Sequence, residues 1–424
     1  MIGSHIVCSA ALLLCRITGS SPAQSFSNPI LSRPAADPSI ALIDGVYYSV
    51  RSGCSRDGHT PAICIRSAPN LPALADAPAK AVWAAPTEGP NAKEIWAPEI
   101  VYLDHRWYIY YAADPDGHNG HTLFALQASD NSKPLGPWVE ADTGAPHGAL
   151  ETDWKSNWAI DPNVFKAADN VFYLVYSCRQ DNSGRPPGNW QSICLAPMSD
   201  PLHLKADPRT GRKVVELSLP TQVWERRGFP TQEGPFGITR GRSDYIFYSG
   251  SFSGNPDQYT VGVLVNDHLS PQADGSSSMT NPAAWIKEGH VFDGHHVAYG
   301  TASTVLVPSP DHTEVWNVYH GTDCNATCPR DAKRHTWPQR SIRTQKAEWS
   351  EDGDLVLGYP VDIANEDGTG ASVPLAQPST DGASKAFAPW GAAFGDAAEG
   401  DTASGQPRGA WTIADGSSIT NERS

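Results

Sequence analysis

Apolar and polar positions alternate along this chain in short paired runs. DPSIALIDGVYYSV (37–50) holds a small or polar start, a short apolar strand, an Asp-containing turn and an aromatic strand. The same plan recurs in APEIVYLDHRWYIYYAA, DPNVFKAADNVFYLVYS, GPFGITRGRSDYIFYSGS and STVLVPSPDHTEVWNVYHG. These copies begin at Asp37, Ala97, Asp161, Gly234 and Ser303, at intervals of 60, 64, 73 and 69 residues. Period-2 runs separated by turn residues predict β-hairpins. The turns are expected at Asp44-Gly45, Asp104-His105, Asp169-Asn170, Arg242-Ser243 and Asp311-His312. A repeat of this length leaves room for a four-stranded blade with long loops. The pattern therefore predicts an all-β protein, a five-bladed β-propeller over residues 30–365. A β-sandwich gives no reason for a five-fold period. From residue 366 to 424 the chain turns rich in Ala, Gly, Ser and Asp, which predicts a mostly disordered low-complexity C-terminal tail.

Composition agrees with that reading. The 424 residues include 37 Gly, 36 Pro and 14 Trp, which suits many short strands and tight turns rather than helices. The formal net charge is −15 and no basic stripe occurs, so a nucleic-acid partner is not expected. Residues 1–23 hold an apolar run of about ten residues followed by small residues near Ala23, the pattern of a secretory signal peptide, although no Lys or Arg precedes the run. No later run is long enough for a transmembrane helix. Six cysteines remain beyond that leader, in the near couples Cys54 and Cys64, Cys178 and Cys194, Cys324 and Cys328. Six cysteines allow fifteen pairings, of which the near-neighbour set fits hairpins best. An oxidising, extracellular compartment accounts for them better than zinc does. Asn325-Ala326-Thr327 is a glycosylation sequon.

The repeat also gathers chemistry. In a propeller the first strand of each unit lies beside the central axis. Asp37 and Asp161 occupy matching positions in blades one and three, and Glu233 sits one residue before that position in blade four. Ala97 and Ser303 fill it in the other two, with Glu99 two residues along from Ala97. A lone Asp-Pro reads as turn punctuation. Repeated at equivalent positions, the acids are expected to share one opening, where like charge and burial raise carboxyl pKa values. That suits glycoside hydrolysis, which needs one carboxyl as acid and another as base. Trp96, Trp158 and Phe236 lie beside the ring positions and are candidate sugar-binding faces. For Glu99 a hydrogen bond to a neighbouring blade is the simpler reading, and for His320 a satisfied strand-end histidine.

The fragments DPSI with DGVYY, IWAPEIVYLDHRWYIYYAA, WAIDPNVF, QEGPFGI with YIFYSGS, and RSIRTQKAEWSEDGDLVLGYP resemble glycoside hydrolase family 43 in order and spacing. The IWAPE, WAIDP and EGP set is most similar to its exo-acting α-L-arabinofuranosidase branch. The resemblance implies an inverting hydrolase, with Asp37 as general base, Glu233 as general acid and Asp161 as the third carboxylate that tunes the acid. It implies that Arg343, in RTQ, reaches the pocket, with Ser303 and His320 on its fifth-blade side. Relatives often carry Gly-x-Gly-His near the start of blade five, where the His holds a metal ion or water on the axis. Here Gly300 to Ser303 reads GTAS, so no cofactor and no central calcium are expected. The implied partner is arabinan or arabinoxylan. β-Xylosidase and endo-arabinanase activities are the alternatives within the family, and a non-catalytic carbohydrate-binding propeller is the alternative outside it. No feature points to a dimer.

Overall fold

The computed structural model describes residues 25–117, 120–153, 158–179, 181, 188–208, 210–267, 277–294, 297–325, 327–333, 335–350, 355–360 and 375–376. The leader, His295 and His296, and nearly all of the 366–424 tail lie outside the described residues. Five antiparallel sheets, each built mainly from consecutive strands, form the five blades of a propeller. Their first strands are Ser39–Ile43, Lys93–Leu103, Ala159–Lys166, Gln232–Arg240 and Tyr299–Pro308. Successive first strands contact one another, from blade one to blade five and back to blade one. All the short helices among the described residues are single 3₁₀ turns.

Burial explains the ring. Five apolar clusters fill the spaces between neighbouring blades. The cluster between blades two and three, for example, packs Tyr110 and Leu123 against Tyr176 and Met198. Each blade is thus buried on two faces, which is why its strands carry apolar residues on both sides. Residues Ile30 to Ala35 close the circle. Ile342 N–H donates to Leu31 O, Ile30 N–H to Ile342 O and Ala35 N–H to Arg340 O, tying the start of the chain to the third strand of blade five.

All three near-neighbour disulfides form: Cys54–Cys64, Cys178–Cys194 and Cys324–Cys328. The hairpin turns follow the expectation, with one correction. In blade four Arg240 pairs with Ser243, so the turn is Gly241-Arg242 rather than Arg242-Ser243. Gly241 takes φ 58°, which glycine adopts without strain.

Candidate active site

One backbone device builds the centre of the molecule. Asp37, Ala97, Asp161, Gly234 and Ser303, the five positions that open the repeats, all have left-handed backbone, with φ of 52°, 40°, 55°, 57° and 51°. In blades two to five each lies within a register shift of its first strand, a β-bulge. A bulge re-aims the chain at one point. Asp tolerates this conformation better than most residues and Gly is indifferent to it, which explains Asp at positions poor for a strand.

Side chains of adjacent blades take up the ring's N–H groups. Ala97 N–H donates to Ser52 Oγ (2.8 Å), Gly234 N–H to Asp161 Oδ2 (2.9 Å) and Ser303 N–H to Ser249 Oγ (2.9 Å). Asp37 N–H donates to His320 Nδ1 at 3.2 Å. The ring encloses a cavity of about 360 Å³, counted with its open mouth, lined by Asp37, Asp161, Glu99, Phe236 and Ser303 among others.

Glu233 stands between two donors. Gln191 Nε2 donates to its Oε2 at 2.7 Å and the Tyr259 hydroxyl to its Oε1 at 2.9 Å. Burial raises the Glu233 carboxyl above its usual range, against the pull of those two donors and of Arg340, while Asp37 adds to the rise. Asp161 is pushed well up, first by burial, then by the charges of Glu233 and Asp37. The two behave as one interacting pair, whose last proton leaves late. Asp37 keeps about a quarter of its side chain exposed and meets Ser303 Oγ at 3.5 Å and Arg340 Nη1 at 3.8 Å.

Arg340, Gln191 and Tyr259 are site residues that the repeat pattern does not reveal. Arg340 also donates to Ser253 O (2.9 Å) and sits 5.4 Å from the centre of the Tyr259 ring. Arg343, carried over by resemblance, bonds Asp323 instead. Three residues apart on one strand, the two arginines point to opposite faces, and the face toward Asp37 is that of Arg340. Phe236 lines the axial cavity. Trp96 and Trp158 meet edge to face at 6.3 Å, with Trp96 stacked on His121 at 3.9 Å. Burial lowers the pKa of His121 to about 4, so the ring is neutral at pH 7. Trp158 is buried under Arg179, whose guanidinium lies 3.8 Å from its ring centre and donates to Gln191 Oε1 at 3.1 Å. That links the aromatic cluster to Glu233.

Glu99 lines the axial cavity and also accepts from Asn163 Nδ2 of the next blade at 2.7 Å. Burial pushes its carboxyl up to about 8, partly offset by the donors Ser39 and Asn163, so it is neutral at pH 7. His320 is fully buried, and burial with the nearby Arg340 charge holds it neutral. Its Nδ1 accepts from Asp37 N–H and lies 3.5 Å from Asp37 Oδ1. Among the described residues no group of three or more His, Cys, Asp or Glu could hold a metal ion.

The model of Glycosyl hydrolases family 43 matches residues 26–355. The chain belongs to that family. Relatives of this family 43 chain include α-L-arabinofuranosidase 43 of Humicola insolens, 28% identical over 83% of this chain and 67% of that protein. The extracellular exo-α-(1→5)-L-arabinofuranosidase of Streptomyces avermitilis is 30% identical over 80% of this chain and 65% of that protein. The chain thus spans about two thirds of the length of these relatives. Among solved structures, α-L-arabinofuranosidase from Lactobacillus brevis superposes with a TM-score of 0.65 at 27% identity, covering 81% of this chain and 99% of that one.

Proposed function

We propose that this chain is a secreted, inverting, exo-acting α-L-arabinofuranosidase that releases L-arabinose from arabinan or arabinoxylan. The observation that carries the proposal is the gathering of three acids from three blades: Asp37 and Asp161 line the axial cavity, and Glu233 stands one residue before Gly234, whose N–H binds Asp161. Glu233, raised by burial, is the acid. It holds a proton for the departing oxygen while Gln191 and Tyr259 fix both of its oxygens. Those donors also stabilise the carboxylate left once the proton is given. Asp37, with about a quarter of its side chain exposed, is the base that draws a proton from the attacking water. Asp161 binds Gly234 N–H beside Glu233, and burial with the Glu233 charge raises its own carboxyl, so the two acids share a proton that leaves late. Arg340 orients Asp37 and offers its remaining donors to a sugar hydroxyl.

The named activities of the Humicola, Streptomyces and Lactobacillus relatives support the choice of sugar. The name of the Streptomyces protein and the three disulfides support secretion. Endo-arabinanase activity is the second reading, because the arabinan endo-1,5-α-L-arabinosidase A of Aspergillus niger is 26% identical over 51% of this chain.

The test is hydrolysis of nitrophenyl α-L-arabinofuranoside beside nitrophenyl β-D-xyloside, with product configuration followed by NMR. Turnover of the arabinoside with inversion is expected. Glu233→Gln should nearly abolish cleavage of arabinobiose and spare the activated aryl arabinoside more, because a nitrophenolate leaves without a proton. Equal loss on both substrates would remove Glu233 from the acid's role, and silence of the wild type on both aryl glycosides with cleavage of linear arabinan would replace the exo reading by the endo one.

A further inference from the structure

Beyond the catalytic opening, one aromatic side chain is built for contact with something not yet described. Trp337 is the only aromatic among the exposed large apolar side chains of the described residues, at 37% exposed. Its position is fixed on two sides. Its indole N–H donates to Ser253 Oγ at 3.2 Å, and one face lies on the His335 ring with centres 3.8 Å apart. His335 in turn packs edge-on against Phe252 at 5.8 Å. The remaining exposure therefore belongs to the opposite face of the indole.

The location is as specific as the pose. The carbonyl of the same Ser253 accepts from Arg340, and Arg340 reaches Asp37. Trp337 is thus one residue removed from the proposed base's arginine, on the rim shared by blades four and five. The segment carrying it is anchored: Arg330 and the Thr336 hydroxyl both donate to Gly254 O, and Cys324–Cys328 braces its start. An indole with its N–H spent internally and one face free offers a flat apolar surface and little else. That surface suits the C–H face of a sugar ring, which is apolar, and fits poorly with a charged ligand.

We infer that Trp337 is a stacking platform for a second sugar ring of the substrate chain, outside the pocket that holds the ring being released. The inference rests on the proposed hydrolase reading. It adds a binding position on the blade-five side of the opening. It also makes the enzyme prefer oligosaccharides over single-sugar substrates.

The experiment compares wild type, Trp337→Ala and Trp337→Phe on arabinotriose and on nitrophenyl α-L-arabinofuranoside. In Trp337→Ala the ratio of kcat/KM on arabinotriose to that on the aryl glycoside is expected to fall about five- to tenfold, mainly through KM. Phe should restore most of the ratio. An unchanged ratio overturns the platform. So does an equal loss on both substrates accompanied by a lower Tm, which would make the indole a structural cover. Calorimetric binding of arabinotriose to wild type and Trp337→Ala separates the two readings. If the wild type hydrolyses neither substrate, the hydrolase reading fails, and weaker binding by the Ala variant still upholds the platform.

Discussion

At the scale of single residues, the environment of Glu233 sets the pH dependence. Its acid form must survive at the working pH, so activity falls as pH rises through the raised pKa. Asp161→Asn removes a like charge, lowers the last pKa of the pair and should move the basic limb of the kcat profile to lower pH. Tyr259→Phe removes a donor that favours the carboxylate, so the same limb should move to higher pH. Opposite displacements, read from the two profiles on one aryl arabinoside, would identify Glu233 as the titrating acid. Displacement in the same direction would not. Glu99 makes a separate claim on stability. Its folded pKa of about 8 lies above the ordinary value, so the unfolded chain releases this proton first. Its contribution is whole below about pH 4.5 and is lost as pH rises to about 8, at about 1.4 kcal/mol per pH unit. Glu99→Gln keeps the acceptor for Asn163 and should flatten that slope in denaturant titrations across this window. The five ring positions were legible in the sequence because Asp37, Ala97, Asp161, Gly234 and Ser303 open a repeated pattern, and all five adopt one backbone state. Arg340, Gln191 and Tyr259 were not legible. They sit outside the repeated hairpin, on or beside the third strands, where aim depends on how blades pack. Choosing Arg340 over Arg343 takes knowledge of which face of a strand looks at the axis.

At the scale of elements, the first strands crowd one another around the axis, and the sequence answers with small residues. A Cβ added at Gly237 would lie 2.2 Å from Phe165 of the preceding blade. The backbone N–H of Gly237 is also committed, to Asn163 Oδ1 at 2.9 Å. The same amide gives its Nδ2 to Glu99, so blades two, three and four meet at Asn163. Neither Phe165 nor the strand can retreat without loosening that junction. Gly237→Ala should therefore destabilise the fold by about 1–3 kcal/mol, measured by chemical denaturation, as overpacking does in a dense core. A stability equal to wild type would mean that Phe165 turns aside at little cost. The hairpins were legible because turn residues such as Asp, Asn and Gly announce themselves between period-2 runs. The bulges were not, because an extra residue in one strand leaves no mark on a period-2 pattern until its partner strand is known.

At the scale of the whole molecule, ring closure and active site share hydrogen bonds. The segment that seals blade five ends two residues before Asp37, and its Ala35 N–H binds the carbonyl of Arg340, the arginine beside Asp37. Asn28 secures the far end of that segment. Its Nδ2 donates to Thr344 O and its Oδ1 accepts from Thr344 N–H, both at 2.9 Å and both buried. Asn28→Ala strands a buried donor and a buried acceptor on Thr344, at about 1–3 kcal/mol each if water does not replace the amide. A loss of this size should lower Tm by several degrees, read by calorimetry. The consequence for activity follows from the geometry. Asp37 and Arg340 face each other only while residues 30–35 lie along the strand that begins at Arg340. Heating Asn28→Ala should therefore abolish turnover of an aryl arabinoside in step with the opening of this seam. A variant that kept wild-type activity through its melting transition would separate closure from catalysis.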